Sequence, residues 1–326
     1  MPTDRTELVT YVQTLFEVFG SIGAGTVGTA GMETQARTGF SADKAEVRRA
    51  VEGFLEQTLL GLEPTAVVDC ARYVALGGGH RWRAIVAVAA GRVFDDDALA
   101  IGLPGACAVE LAHAASLVLD DLPSMDDAQL RRGKPCVHLV FPRWAVDMTP
   151  VLLITTAYAV SLANDRASPG ARIRGALLLS ETGQSMITGQ AQDVTQLFPT
   201  DIPERRLLEC YTLKSGLLYA AAAKAGAILC GAGEDDAEKI GRAGLNLGLS
   251  YQLMDDVADV AASTADVGKT TGRDVRKWTA IDWLGVEGAR READRFRDRG
   301  IAALDGFGPR ADFLRSLVME ASFARS

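Results

Sequence analysis

The chain has 326 residues and a formal charge of −8 at pH 7, from 34 Lys and Arg against 42 Asp and Glu. This acidic balance argues against a nucleic-acid-binding protein, which usually carries a basic surface. Hydrophobic residues make up 48% of the sequence and aromatic residues only 6%. Such a composition, rich in Ala, Leu and Val, favours closely packed helices over an all-β fold.

The cysteines and the apolar segments indicate the cellular compartment of the protein. The five cysteines are scattered and form no C-x-x-C pair, which predicts reduced, buried thiols. Asp4 and Glu7 stand where a signal peptide needs basic residues before an apolar segment, so we expect no secretory signal. The longest apolar stretch, 151–163, is shorter than the ~20 residues that cross a bilayer. We therefore expect a cytoplasmic protein without a membrane span.

The N-terminal residues differ in character from the rest. Residues 1–41 are expected to form an N-terminal arm, because 21–41 are rich in Gly, Thr, Ala and Ser without apolar periodicity. Residues 42–326 are expected to form the folded domain. Ser41 and Asp43 are candidate N-caps of its first core helix, in which apolar residues recur at helical spacing.

Most of the remaining chain predicts helices. Five segments are long, rich in Ala and Leu and apolar on more than one side, which is typical of inner helices of a bundle. Two segments near the C-terminus are amphipathic and predict outer helices. No alternating run is long enough for a sheet, so the expected fold is all-α, a large single-domain helical bundle. The inner segments are 105–121, 147–164, 171–196, 203–231 and 234–262, and the outer ones surround Ala289 and Leu317.

The segment LVLDDLPSMDDAQLRRGKP, residues 117–135, places several carboxylates at the end of an apolar helix. Asp120, Asp121 and Asp126 would repel one another unless a cation neutralised them, and oxygen ligands suit Mg²⁺. The segment therefore predicts metal binding. A solvated acidic turn would explain a single Asp pair equally well.

A second acidic cluster lies in YQLMDDVADV, residues 251–260. Asp255 and Asp259 are four residues apart and share a helix face, with Asp256 beside them. The surrounding residues are apolar, so these carboxylates project from a helix built to be buried and need partners. The two clusters together predict one cavity with metal ions between them. Lysine and arginine side chains elsewhere would then meet phosphate oxygens.

Six motifs of this sequence, taken in their order along the chain, resemble those of the trans-isoprenyl diphosphate synthases, also called polyprenyl synthases. The two acidic segments resemble the family's Asp-rich motifs, the first in its longer form. The resemblance covers about residues 45–305 and implies the family's all-α fold, in which inner helices surround a deep central cavity with both acidic clusters at its mouth. The other four motifs are GGGHRWR (77–83), GQAQD (189–193), KSG (214–216) and GKTTGRD (268–274).

The resemblance implies an enzyme that condenses an allylic diphosphate with isopentenyl diphosphate and that works as a homodimer. Mg²⁺ ions, about three per active site, would bridge the allylic diphosphate to the carboxylates and stabilise the departing pyrophosphate. A dry apolar wall would protect the allylic carbocation from water. The implied metal ligands are Asp120, Asp121, Asp126, Asp255, Asp256 and Asp259, and the implied catalytic residues are Asp120, Asp121, Asp255, Lys214 and Arg131.

Matching positions also imply two diphosphate sites. His80 replaces the lysine that the family usually has, so a permanent charge gives way to one that titrates near neutrality. The acceptor site is therefore where this chain departs most from the family. The implied allylic diphosphate residues are Arg131, Lys214, Gln252 and Lys269, and the implied isopentenyl diphosphate residues are His80, Arg83, His113 and Arg132.

Product length is predicted from the helix that ends at Asp120. Ser116 and Ala115 lie four and five residues before it and would point down the cavity. A bulky aromatic residue near here stops growth at farnesyl in the resembling family, whereas Ala115 is small. We therefore expect geranylgeranyl diphosphate or a longer product. A close helix contact at Ala115 is the alternative interpretation.

Three other functions stay open on the sequence alone. A prenyltransferase of the same fold would transfer the allylic group to another acceptor, such as a phosphorylated aromatic metabolite, and His80 keeps this alternative open. A terpene cyclase would share the ionisation step but seldom keeps the Arg131 and Arg132 pair. A non-catalytic partner of a true synthase would tend to lose the acidic residues that this chain retains.

Overall fold

A computed structural model describes residues 33–195, 204–265 and 279–321. Within these ranges the chain is helical apart from one short hairpin, which confirms the predicted all-α class. The elements are α1 (Glu33–Leu60), α2 (Ala66–Ala75), α3 (Trp82–Gly91), α4 (Ala98–Asp120), β1 (Leu130–Arg131), β2 (Lys134–Pro135), α5 (Val137–Val140), α6 (Arg143–Leu162), α7 (Pro169–Thr195), α8 (Glu204–Tyr211), a π-helical turn (Thr212–Gly216), α9 (Leu217–Leu229), α10 (Glu234–Ala265), α11 (Ala280–Ala302), a 3₁₀ turn (Gly308–Ala311) and α12 (Asp312–Ala321).

The chain divides into two units, Met1–Ser41 and Ala42–Ser326, and the active site lies in the second. The predicted N-terminal arm falls mostly outside the described residues and stays a prediction. Helix α1 begins at Glu33, so the prediction of N-caps at Ser41 and Asp43 was wrong. Residues 33–37, ETQAR, are good helix formers and carry the helix past both positions.

Helix α9 lies at the centre of the bundle, where it contacts α3, α4, α7 and α10. Ten of its residues are buried, most of them alanines or glycines. Gly226 packs directly on the backbone of Ala87 in α3, where a Cβ atom would clash with the carbonyl group. The small side chains therefore let the inner helices approach closely, as the composition predicts. The predicted inner segment 203–231 is divided, however, into α8, the π-helical turn and α9.

The hairpin after α4 was not predicted from the sequence. Leu130 pairs with Pro135, and Arg131 pairs with Lys134. The two residues between the strands, Arg132 and Gly133, both have positive φ angles, of 53° and 76°. A two-residue loop with two positive φ angles is the type I′ turn that fits the twist of short antiparallel strands. The turn holds two adjacent arginines beside the end of α4.

Helices α4 and α6 are long and apolar enough to span a membrane by length and composition alone. The stretch 151–163 was too narrow a guide, because it covers only the second half of α6 and no part of α4. In the fold, 61% of the most apolar part of α4 and 44% of that of α6 are buried. Core helices of soluble proteins pass the same test, so these two helices are only a weak indication of a membrane span.

Candidate active site

Two cavities with very different walls meet at the C-terminal end of α4. The apolar cavity, of about 640 Å³, is lined mainly by aliphatic side chains of α4, α6 and α7. The polar cavity, of about 740 Å³, is lined by charged and aromatic side chains of α3, α4, α10 and the hairpin. The residues that line both are Ser116, Asp120, Met186 and Lys214. The pair can hold a molecule with an anionic head and an apolar tail.

Asp120 and Asp255 bring the two acidic clusters to the same polar cavity, as predicted. The amide of Asp126 donates a hydrogen bond to the carbonyl oxygen of Asp120 at 3.0 Å, so the turn after α4 folds back on the helix end. The side chains of Asp126 and Asp259 are exposed. Among the described residues, no three His, Cys, Asp or Glu side chains are close enough together to hold a metal ion by themselves.

Asp121 has a different environment from Asp120. It is buried and lines neither of the two cavities. Its carboxylate accepts hydrogen bonds from Nη2 of Arg131 at 2.5 Å and from Nε at 3.1 Å. The two shortest contacts both fall on Oδ1, so the carboxylate keeps lone pairs for another partner, and the predicted ligand role of Asp121 stays a prediction. Asp121 fixes Arg131, which does line the polar cavity.

Asp256 is likewise occupied by its own protein. Tyr211 Oη donates a hydrogen bond to Oδ2, the amide of Ala280 donates to Oδ2 at 3.1 Å, and Gln252 Nε2 donates to Oδ1 at 3.2 Å. Burial raises the pKa of this carboxyl, while these hydrogen bonds act in the opposite direction. Asp256 therefore joins α8, α10 and the start of α11. Its neighbour Asp255 is the carboxylate that lines the polar cavity, and the predicted ligand role of Asp256 stays a prediction.

Substituting Tyr211 with Phe is expected to lower the free energy of unfolding by ~1–3 kcal/mol, because the buried Asp256 carboxylate loses a donor. Chemical denaturation measures this loss. Tyr73→Phe is the matched control, since the Tyr73 hydroxyl donates to the Pro135 carbonyl at 2.9 Å in an exposed contact. That variant is expected to lose less than ~1 kcal/mol. Equal losses in the two variants would contradict the role given to Tyr211.

Lys214 lies in the π-helical turn and lines both cavities. Its Nζ atom is 2.8 Å from Oδ2 of Asp193, the last residue of the GQAQD motif. The Oγ atom of the next residue, Ser215, donates a hydrogen bond to Gln252 Oε1 at 2.7 Å. Gly189 allows α7 to approach, because a Cβ atom there would lie 2.9 Å from the Lys214 amide nitrogen. A π-helical turn often marks a functional site, and here it directs an ammonium group at the junction of the cavities.

The four residues predicted to bind isopentenyl diphosphate all line the polar cavity. Burial, followed by the charges of Arg83 and Arg132, lowers the pKa of His113 well below its usual range, so this imidazole is neutral at pH 7. His80 is exposed. The positive charge of this region therefore comes mainly from arginine side chains. The four residues are His80, Arg83, His113 and Arg132.

A buried ion pair that sequence reasoning missed supports the glycine-rich loop. Arg81 Nη1 lies 3.5 Å from Glu110 Oε2, and both side chains are only 4% exposed. Arg81 also donates to the Ala75 carbonyl at 2.7 Å, and the Ala84 amide donates to Glu110 Oε1 at 3.2 Å. Arg81 has a positive φ of 56° at the start of α3, a conformation that needs such support. Glu110 thus fixes the beginning of the helix that carries Arg83.

Ala115 and Ser116 line the apolar cavity, as the product-length argument requires. The opposite wall, which the sequence could not identify, includes Pro150, Ile154 and Tyr158 at one-turn intervals along α6. An antiparallel arrangement follows from Asn164 beyond α6, which donates a hydrogen bond at 2.8 Å to the carbonyl of Ile101 near the start of α4. Successive turns of α6 therefore lie deeper below Asp120.

Leu179 of α7 lies at the inner end of the apolar cavity. It also lines a second, very small void of about 10 Å³. Gly105 and Ala108 of α4 border that void, and they precede Asp120 by 15 and 12 residues. At 1.5 Å per residue these positions are roughly 18–23 Å from the carboxylate end of the helix. Leu179 thus closes the cavity at its deep end.

Two predicted features lie outside this site. Lys269 and the GKTTGRD motif fall outside the described residues, so their assigned contacts stay predictions. His138, whose role the sequence left open, lines neither cavity, and both its ring nitrogens are buried without a hydrogen-bond partner in the described structure.

The sequence model described as polyprenyl synthetase matches residues 64–296. A curated relative, geranylgeranyl pyrophosphate synthase 12 of Arabidopsis thaliana, is 36% identical over 253 residues, which cover 75% of this chain and 70% of the relative. A probable farnesyl diphosphate synthase of Bradyrhizobium diazoefficiens is 36% identical over 269 residues and 79% of each chain.

Solved structures agree with these relatives. The structure of an FPP/GFPP synthase from Zymomonas mobilis is 28% identical, has a TM-score of 0.77 and covers 87% of this chain and 99% of its own. A geranylgeranyl pyrophosphate synthetase from Pyrococcus horikoshii has a TM-score of 0.79 at 22% identity and supports the fold alone. With the acidic clusters and the arginine-rich loop in one cavity, this chain belongs to the polyprenyl synthetase family.

Proposed function

We propose that this protein is a trans-prenyltransferase that condenses an allylic diphosphate with isopentenyl diphosphate and releases geranylgeranyl diphosphate. The observation that carries the proposal is the junction of the polar and apolar cavities at Asp120 and Lys214. An allylic diphosphate placed there has its phosphate groups among cations and carboxylates and its chain against aliphatic side chains. The names of the synthase relatives support the same reaction.

The donor set fits Mg²⁺. Asp120 and Asp255 offer oxygen ligands only, and Mg²⁺ is commonly bound by one or two carboxylates together with substrate phosphates. This explains why no cluster of three protein ligands is needed in the described part of the chain. We include Asp121, Asp126, Asp256 and Asp259 as further ligands from the same motifs, and about three ions per site by the resemblance. When bound, Mg²⁺ supplies charge neutralisation and Lewis acidity to the leaving pyrophosphate.

The chain's own groups orient the donor and exclude water. Lys214, held by Asp193, and Arg131, held by Asp121, present donors to phosphate oxygens from two sides. Such preorganised charges favour the developing negative charge of the departing diphosphate. The apolar cavity below keeps water away from the allylic cation. Isopentenyl diphosphate is held by the arginine-rich side of the polar cavity, so its double bond meets the cation where the cavities join. The condensed cation then loses a proton to the released pyrophosphate, which leaves the new allylic double bond.

The reaction is tested by incubating the purified protein with Mg²⁺, isopentenyl diphosphate and either dimethylallyl, geranyl or farnesyl diphosphate. Mass spectrometry is expected to show geranylgeranyl diphosphate from each allylic substrate. A parallel sample with a chelator of divalent cations is expected to show no product. Hydrolysis of the allylic diphosphate without elongation would contradict isopentenyl diphosphate as the acceptor.

We further propose a homodimer that forms through α6 and α7. Trp144, Met148 and Val151 of α6 lie on one face at helical spacing, and each is more than half exposed. Ile173 and Leu177 of the neighbouring α7 are also each 55% exposed. Large exposed apolar surfaces usually mark an interface, and a second copy of this chain offers a surface of the same kind.

Substituting Val151 with Glu is expected to convert the dimer to a monomer, because the interface would bury an unpaired charge. Analytical ultracentrifugation measures the change in mass. Leu60→Glu is the matched control, since Leu60 is 55% exposed, against 65% for Val151, and lies at the end of α1. A monomeric parent protein, or a dimer that persists in the Val151 variant, would contradict this interface.

A cytoplasmic location completes the proposal. All five cysteines are free, and all are buried. Buried free thiols persist most readily in a reducing compartment. The proposal fits a reaction between two water-soluble diphosphates, and fractionation of cells that express the protein tests it.

A further inference from the structure

Four arginines of the polar cavity are held by oxygen atoms of the protein. Arg48 pairs with Glu52, Arg81 with Glu110 and Arg131 with Asp121. Arg132 donates to the carbonyl of Gly78. In each case N–H groups at the edge of the guanidinium are used in the contact. An arginine bound in this way has fewer donors left for a phosphate group.

Arg83 is held differently. Its guanidinium carbon lies 4.5 Å from the ring centroid of Tyr219, and its Nε is buried without a hydrogen-bond partner. Among the described residues, no carboxylate forms an ion pair with it. Both side chains line the polar cavity. Arg83 is therefore supported by an aromatic ring, whereas the other four arginines of the cavity are supported by oxygen atoms.

The Tyr219 ring is itself fixed in place. It is 1% exposed, and its centroid lies 6.0 Å from that of Tyr251 in a tilted contact. Tyr251 in turn lies 6.2 Å from Trp82, the residue before Arg83. Burial raises the pKa of Tyr219, so the phenol is neutral at any physiological pH. The contact is thus between a cation and a neutral ring.

The face of an aromatic ring attracts a cation. A planar guanidinium that stacks on the ring uses its own flat face for this contact, and its N–H groups remain at its edge. We propose that Tyr219 is a positioning residue for the acceptor, which holds Arg83 by its face and leaves the guanidinium edge free to bind the diphosphate of isopentenyl diphosphate. An acidic partner in the place of Tyr219 would fix Arg83 equally well but would occupy those donors. The inference rests on the proposed function, because it assigns the acceptor to this side of the polar cavity.

Tyr219→Leu removes the ring and keeps an apolar side chain, whereas Tyr219→Phe keeps the ring and removes only the hydroxyl. Steady-state kinetics would vary isopentenyl diphosphate at saturating allylic diphosphate, and then the reverse. We expect Tyr219→Leu to raise the KM for isopentenyl diphosphate roughly 3- to 30-fold, with the KM for the allylic substrate within about twofold of the parent value. Tyr219→Phe is expected to restore most of the acceptor affinity.

A double substitution tests whether Tyr219 acts through Arg83. In an Arg83→Lys background, Tyr219→Leu is expected to add little, because the planar group that rests on the ring is gone. The inference is overturned if the KM for isopentenyl diphosphate is unchanged in Tyr219→Leu, if Tyr219→Phe loses as much as Tyr219→Leu, or if both substrates weaken equally. Independent effects of the two substitutions would overturn it too.

Binding measurements separate this inference from the proposed reaction. Titration calorimetry with isopentenyl diphosphate compares the parent protein with Tyr219→Leu without any turnover. Thermal unfolding of each variant confirms that the fold is retained. A parent protein that binds isopentenyl diphosphate but never elongates an allylic substrate would contradict the proposed function alone. A parent protein that elongates, with acceptor binding unchanged in Tyr219→Leu, would contradict this inference alone.

Discussion

Asp120→Asn and Asp255→Asn are each expected to lower kcat at least ~10³-fold, the largest loss of any single substitution in this protein. Both carboxylates line the polar cavity, and they come from different helices on the two sides of the proposed metal site. Asparagine keeps the size of the side chain and removes its charge, so the fold is expected to persist. Turnover of an allylic diphosphate with isopentenyl diphosphate, measured over a range of Mg²⁺ concentrations, checks the result.

Asp298→Asn provides the control for these two substitutions. Asp298 is an exposed residue of α11 that pairs with Arg297 at 2.9 Å, and its loss is expected to leave kcat within about twofold of the parent value. Near-normal turnover in either cavity variant would rule out the metal site proposed for that carboxylate. Activity restored at higher Mg²⁺ would instead support the ligand role.

Ala115→Phe is expected to shift the product from geranylgeranyl to farnesyl diphosphate, the second large effect. Ala115 is 2% exposed and lines the apolar cavity below Asp120. A phenyl group there would occupy the space that the last isoprene unit needs. Mass spectrometry of the products, with dimethylallyl diphosphate as the starting substrate, measures the shift.

A graded series strengthens this test. Ala115→Leu is expected to give a mixture of farnesyl and geranylgeranyl products, because its side chain is intermediate in size. Overpacking of a core commonly costs about 1–3 kcal/mol, so thermal unfolding of each variant accompanies the product analysis. Unchanged products from a folded Ala115→Phe variant would favour the alternative interpretation, in which Ala115 serves only as a close helix contact.

Helical periodicity was sufficient to predict the class of fold and the inner helices. Apolar positions repeat regularly over long segments, and Gly226 shows why small residues recur where α9 meets α3. The start of α1 was misplaced because a residue suited to N-capping, such as Ser41 or Asp43, can also lie inside a helix when helix-forming residues precede it. The hairpin was missed because its turn depends on a positive φ at Arg132, a residue type that gives no turn signal.

The sequence predicted the charged residues of the site, but not the orientation of each side chain. Two acidic clusters on apolar helices predicted that Asp120 and Asp255 share a cavity, and both residues do line the polar cavity. Spacing does not reveal which carboxylate of a pair points inward. Asp121 and Asp256 each belong to an Asp pair, yet both are bound by their own protein.

The residues that support the site were harder to find from the sequence. Tyr211 and Tyr219 stand out in no sequence pattern, because their roles depend on partners that are distant along the chain. Glu110 did leave a signal, because it is the single charged residue within the apolar segment 98–119. A lone carboxylate on a buried helix needs a partner, and here that partner is Arg81.

The small void beside Leu179 indicates how the length of the product could change by substitution. Leu179 lines both the apolar cavity and this void, which Gly105, Ala108 and Gly175 also border. Exchange of Leu179 for a smaller residue is expected to join the two spaces and deepen the apolar cavity. A longer isoprenoid would then fit below the same diphosphate-binding residues, so product length can change by substitution at a position remote from the reacting groups.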